Sequence, residues 1–88
     1  MVEKDVTILN ELGLHARPAG MIVQRAKTFD SSIKLVKDDM QADAKSIMSI
    51  MIMAAGKGAV IKIQAEGSDE AEAATALAQL FEDKFNEN

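Results

Sequence analysis

Cysteine, tryptophan and tyrosine are absent from this 88-residue chain, and proline and histidine occur once each. Without cysteine there is no disulfide to staple the fold and no thiolate for catalysis. A single histidine leaves a metal little but carboxylates, so no metal centre is expected, and no cofactor is implied. Three phenylalanines are the only aromatics, too few for the stacking platforms that grip nucleic acid. The formal net charge of −4 excludes the same partner, because a phosphate backbone calls for a basic face. No apolar run reaches membrane-spanning length. Met1-Val2-Glu3-Lys4-Asp5 is charged where a secretory leader would be apolar. The expectation is a cytoplasmic protein without membrane insertion.

What is present suits one folded unit, taken as a single domain over 1–88. Hydrophobic residues make up 48% and charged residues 27%, a globular composition. A domain this small buries a limited fraction of its surface. Val6–Leu9 reads as a short strand before a glycine-bearing loop. From Pro18 to Phe29, Ala19, Ile22, Val23, Ala26 and Phe29 recur at helical spacing. Ser32–Lys37 alternates as a strand, Asp38-Asp39 makes a turn, and Met40–Ala42 returns. Ser46 opens a helix that runs to Ala55, with Gly56 and Gly58 ending it. Ala59–Glu66 alternates again. Asp69 with Glu72 predicts a capping box, and Ala73, Leu77, Leu80 and Phe81 mark the buried stripe of a last helix, with Lys84 near its end. The order β-α-β-β-α-β-α, with half-buried strands, predicts a two-layer α+β sandwich with helices on one face.

Two stretches carry chemistry. In Gly13-Leu14-His15-Ala16-Arg17-Pro18-Ala19 the only imidazole precedes a helix whose first turn contains proline, a residue tolerated there because its missing N–H would lack a partner. The N–H groups of Ala16 and Arg17 then face a potential anion. A neutral imidazole is a nucleophile, and the helix start with the Arg17 guanidinium would stabilise a phosphoryl on it. A structural role as a cap is the alternative, although the helix dipole disfavours a cationic histidine. No third member of a hydrolytic triad is in view. The chemistry points to phosphate, not hydrolysis.

The second stretch is Lys45-Ser46-Ile47-Met48-Ser49-Ile50-Met51-Ile52-Met53, apolar almost all round. So small a domain cannot bury such a helix on every side. Part of it is core, and part of Ile47, Met48, Met51 and Ile52 is expected to face solvent as a docking surface. Ser46 is either an ordinary N-cap or a phosphorylation site at a helix start.

Together these motifs, with Gly56-Lys57-Gly58 and the strand after it, resemble HPr, the histidine-containing phosphocarrier family of the bacterial phosphoenolpyruvate-dependent sugar phosphotransferase system. The resemblance spans essentially the whole chain. It implies an open-faced sandwich with a four-stranded antiparallel sheet and three helices on one face. It also implies that His15 takes a phosphoryl on Nδ1 from phosphorylated enzyme I and passes it to IIA proteins or domains. Arg17 and the Ala16 N–H would stabilise that group. Such a protein is a carrier with a phosphohistidine intermediate, not an autonomous enzyme, and as a shuttle it is expected to be a monomer. Ser46 would be the target of an HPr kinase/phosphorylase, and its phosphorylated form could bind a transcriptional regulator. Ile47, Met48, Met51, Ile52 and Gly20 would belong to the docking face. A nitrogen-type regulatory carrier is the nearest alternative, with the Lys45-Ser46-Ile47-Met48 motif favouring the kinase-controlled type. Leu12 replaces a small polar residue usual in the family, and Ile52, Ser49 and Gly20 also depart from common choices.

Overall fold

A computed structural model describes residues 1–87; Asn88, the last residue of the expected domain, lies outside them. The elements are β1 (Val2–Thr7), α1 (Ala16–Ala26), β2 (Ser32–Lys37), β3 (Met40–Asp43), α2 (Ile47–Ile52), β4 (Val60–Glu66) and α3 (Glu70–Glu82), followed by a short turn at Lys84–Asn86. The strands form one sheet in the order β1-β4-β2-β3. All pairings are antiparallel, with Val6 opposite Ile61, Leu35 opposite Ile63, and Leu35 opposite Ala42. Because β4 lies antiparallel to both β1 and β2, those two strands run parallel to each other with β4 between them. The connection through α1 must therefore cross over the sheet, as must the one through α2 from β3 to β4.

Alternation sets the two faces of the sheet. Val6, Ile33, Leu35, Ala42, Ile61, Ile63 and Ala65 are buried, while Glu3, Asp5, Ser32 and Lys34 are exposed. The inner residues meet Ile22, Ala26 and Ala19 of α1, Ile50 of α2, and Ala73, Leu77 and Phe81 of α3 in one apolar core. This is the expected open-faced α+β sandwich.

Four elements differ in their bounds from the sequence reading. β1 starts at Val2, well before Val6, because an edge strand tolerates the charged run Glu3-Lys4-Asp5 while its backbone pairs with β4. α1 begins at Ala16, so Pro18 is its third residue, where an N–H would still lack an intrahelical acceptor. It ends at Ala26, because the N–H groups of Thr28 and Phe29 close onto the carbonyls three residues back and the Thr28 hydroxyl takes the Arg25 carbonyl. α2 stops at Ile52, and the left-handed residue after it is Ala54, at φ 51°, not a glycine. Lys84 stands outside α3 with a positive φ, and so is not a dipole partner within its last turn.

The predicted capping box at Asp69 and Glu72 does not form. The Asp69 carboxylate caps nothing in its own helix; it accepts hydrogen bonds from the backbone N–H groups of Asp30 and Ser31, at 2.9 and 3.0 Å, and from the Ser31 hydroxyl. Gly67 instead meets the helix start, its N–H donating to Glu70 Oε1 at 3.1 Å. Asp69 thus clamps the turn after α1 to the start of α3, and Ser31 is wholly buried there. Gly67 is required beside this clamp, since a Cβ would lie 2.7 Å from the Ser31 Cα.

The Ser31 hydroxyl, with the Asp30 and Ser31 N–H groups, holds the Asp69 carboxyl below the usual aspartate value. A carboxylate depressed in this way stabilises the fold fully above its unfolded pKa, about 3.9, and loses that contribution as pH falls through the folded value. Asp69→Asn should therefore lower Tm at neutral pH and flatten the acid limb of Tm against pH below about pH 4. A limb parallel to wild type would show that the clamp is not coupled to folding.

Candidate phosphoryl-transfer site

The loop from β1 to α1 is shaped by contacts reaching across the molecule. Ile8 continues the ladder by donating to the Ala59 carbonyl, and Leu14 donates to the Ala55 carbonyl at 3.0 Å. Gly13, at φ 65°, lies so close to the Ala55 carbonyl and Gly56 Cα that no Cβ would fit. Leu14 is buried, and the next residue, His15, starts α1 as its N-cap in an extended conformation (φ −74°, ψ −171°) without a side-chain capping bond. The first ladder bond runs from the Ala19 N–H to the His15 carbonyl. With Pro18 lacking an N–H, Ala16 and Arg17 supply the donors at the helix start, and the first turn contains no acidic residue.

Around His15 the far end of the chain closes in. Its Nε2 is 2.9 Å from Oε2 of Glu87, and the same oxygen accepts from an Arg17 guanidinium nitrogen at 3.0 Å. That guanidinium nitrogen also donates to the Phe85 carbonyl at 2.8 Å. Asn10, almost fully buried, donates its amide hydrogens to the Gly13 carbonyl at 2.9 Å and to Oε1 of Glu87 at 3.0 Å. Both of those partners are acceptors, so the amide orientation is fixed, and Asn10 Oδ1 is left without a partner among the described residues. Burial pushes the Glu87 carboxyl up, but hydrogen bonds from Asn10, His15 and Arg17 outweigh it and hold the group below the usual glutamate value. The imidazole remains about one-third exposed and the Arg17 side chain about half. An accessible nucleophilic ring beside a cation suits the capture and release of an anion.

Ser46 is the N-cap of α2, its hydroxyl accepting from the Ser49 N–H at 3.2 Å. Ser49 has a structural task of its own, since its hydroxyl accepts from the Asp43 N–H at 2.9 Å. In α2 only Ile50 is buried, with Met53 buried just beyond it. Ile47, Met48, Met51 and Ile52 are all exposed, as is Leu12 on the loop that packs against Ala55. Gly20 faces open space, where a Cβ would meet nothing within 4 Å. The sequence reading singled out His15, Arg17, Ala16 and Ser46; the structure adds Asn10 and Glu87 as neighbours of His15 and Arg17 that it did not single out. Glu87 is 72 positions from His15, and no periodicity or spacing reports such a contact.

A family model described as "PTS HPr component phosphorylation site" matches residues 2–83. The chain belongs to the HPr family. It is 52% identical over 87 residues to the phosphocarrier protein HPr of Treponema pallidum (strain Nichols), an alignment covering 99% of each chain. Among solved structures, HPr-C-His from Thermoanaerobacter tengcongensis superposes with a TM-score of 0.96 at 49% identity, covering 100% of this chain and 99% of that one. The phosphocarrier protein HPr from Bacillus anthracis str. Ames matches at a TM-score of 0.86 and 46% identity, covering 91% and 95%. HPr proteins are phosphocarriers and not enzymes in the ordinary sense.

Replacing the Ser46 hydroxyl leaves the Ser49 N–H unpaired at the helix start. Ser46→Ala should cost about 1 kcal/mol in urea unfolding, the usual size of an N-cap loss, whereas Ser46→Asp, which keeps an acceptor there, should cost less. Equal losses in the two variants would mean that the capping bond contributes nothing.

Proposed function

We propose that His15 accepts a phosphoryl group on Nδ1 from phosphorylated enzyme I and passes it to IIA proteins or domains of the sugar phosphotransferase system. The observation that carries this reading is the position of His15: an N-cap whose ring caps nothing, partly open to solvent, with Arg17 sharing its carboxylate partner. The Ala16 N–H and the Arg17 guanidinium stabilise the transferred group. Few direct contacts suit a carrier, since a tightly held phosphoryl would not move on. In this reading the protein works in the cytoplasm as a monomer that meets its partners in turn.

Docking falls to Ile47, Met48, Met51 and Ile52 with Gly20, an apolar surface rich in adaptable methionine. Ser46 is the regulatory position. A phosphate there is favoured by the helix start and adds negative charge beside the docking face. An HPr kinase/phosphorylase would install it, and a transcriptional regulator could then recognise the modified face.

The deciding experiment is intact-protein mass spectrometry after incubation with phosphoenolpyruvate and a bacterial enzyme I. One acid-labile phosphoryl adduct is expected, absent in His15→Ala; no adduct with a cognate enzyme I would overturn the carrier reading. For the docking face, Met48→Asp should weaken enzyme I binding by about tenfold or more in titration calorimetry, as expected when a charge enters an apolar contact, with Tm unchanged. Unaltered affinity would move the interface elsewhere.

A further inference from the structure

Glu87 gives one ring nitrogen of His15 a dedicated acceptor. An ionised carboxylate can only accept, so the 2.9 Å contact between its Oε2 and Nε2 requires the hydrogen to be on Nε2. A neutral imidazole has a single ring hydrogen, and placing it on Nε2 leaves the lone pair on Nδ1. Among the described residues Nδ1 makes no hydrogen bond.

The carboxylate is held from three sides. Asn10 fixes Oε1, Arg17 shares Oε2, and the turn Lys84–Asn86 delivers the residue to both. That turn places three consecutive non-glycine residues at positive φ, 54°, 53° and 59°, torsions that L side chains rarely adopt. It is anchored by Phe85, buried edge-on against Phe81 at 4.9 Å between ring centroids, and by the Phe85 carbonyl, which accepts from Arg17. A strained tail held this way is a constructed contact. It also lies beyond residues 2–83, the span matched to the family.

We propose that Glu87 is a positioning residue for phosphoryl acceptance: it takes the Nε2 hydrogen bond of His15, and so fixes the ring and selects the tautomer with Nδ1 as the free nucleophile. This rests on the reading of His15 as the phosphoryl acceptor. In the step itself the Nδ1 lone pair forms the N–P bond, while the donor's bond to phosphorus breaks and its electron pair stays with the donor. The ring keeps its Nε2 hydrogen and becomes cationic, with the Glu87 carboxylate facing the new charge. On onward transfer the N–P bond breaks, the pair returns to Nδ1, and the ring is neutral again without having exchanged its hydrogen.

The test is nitrogen-15 NMR of the His15 ring in wild type and Glu87→Ala at about pH 8, above the ordinary histidine pKa, alongside the rate of phosphoryl acceptance from enzyme I charged by phosphoenolpyruvate. Glu87 belongs to no helix or strand, and unchanged backbone amide shifts away from the site are the check that the variant keeps the fold. Wild type should be almost entirely the Nε2–H tautomer. Glu87→Ala should show a mixture and accept phosphoryl about tenfold more slowly, the low end of what losing a partner that orients a histidine costs. A tautomer ratio unchanged by the substitution, or a rate within twofold of wild type or above it, overturns the proposal. Failure of wild type to take any phosphoryl at His15 would instead overturn the acceptor reading, which the donor-independent NMR arm separates from this one.

Discussion

The pairing of β4 with both β1 and β2 is the constraint on which everything else depends. A strand inserted between two parallel neighbours obliges each of the two crossover connections to carry a helix over the sheet. Since β4 has one apolar face, through Ile61, Ile63 and Ala65, the helices share that side and their N-terminal ends are fixed by the strand ends that feed them. The start of α1 is one such end, and it carries His15. The imidazole is positioned by backbone topology before any side chain touches it.

Tertiary contact then refines that position in two places. Ala55 turns back after α2 so that its carbonyl receives the Leu14 N–H and leaves room only for a glycine at 13. The short α2 and the left-handed Ala54 follow from that requirement; a left-handed alanine costs roughly 1 kcal/mol of torsional energy, which burial of Met53 and Ala55 offsets. The same turn leaves Ile47, Met48, Met51 and Ile52 exposed on a helix joined through Ala55 to the loop that carries His15. The exposed side of α2 and the loop before His15 are thus joined through one segment.

Charged groups are used in two different ways. Asp69 is committed to the fold, joining Asp30 and Ser31 to the start of α3. Glu87 is committed to the site, where one carboxylate answers Asn10, His15 and Arg17 together. Each reaches across the sequence, by 38 or 39 positions for Asp69 and by 70 or more for Glu87. Asp69 does not follow the capping rule its sequence neighbourhood suggests. Carboxylates go where unpaired donors are, and folding decides which donors those will be.

The sequence by itself determined the order of elements, the inward faces of β2 and β4, a helix start close behind His15, and Ser46 as a cap. Those features follow from period-two and period-3.6 patterns and from the N–H groups a helix start leaves free, which are local physics. The chemistry around His15 was legible as an imidazole and an arginine at a helix start, whereas the family was legible only through the resemblance of the motifs. Only the tertiary structure decided that β1 begins at Val2, because a charged edge strand is stabilised by its pairing partner and not by its own pattern. Only the tertiary structure released Asp69 from its expected cap, exposed four side chains of α2 while burying Ile50, and brought Glu87 to His15. These are contacts between distant segments, and a local pattern has no term for them.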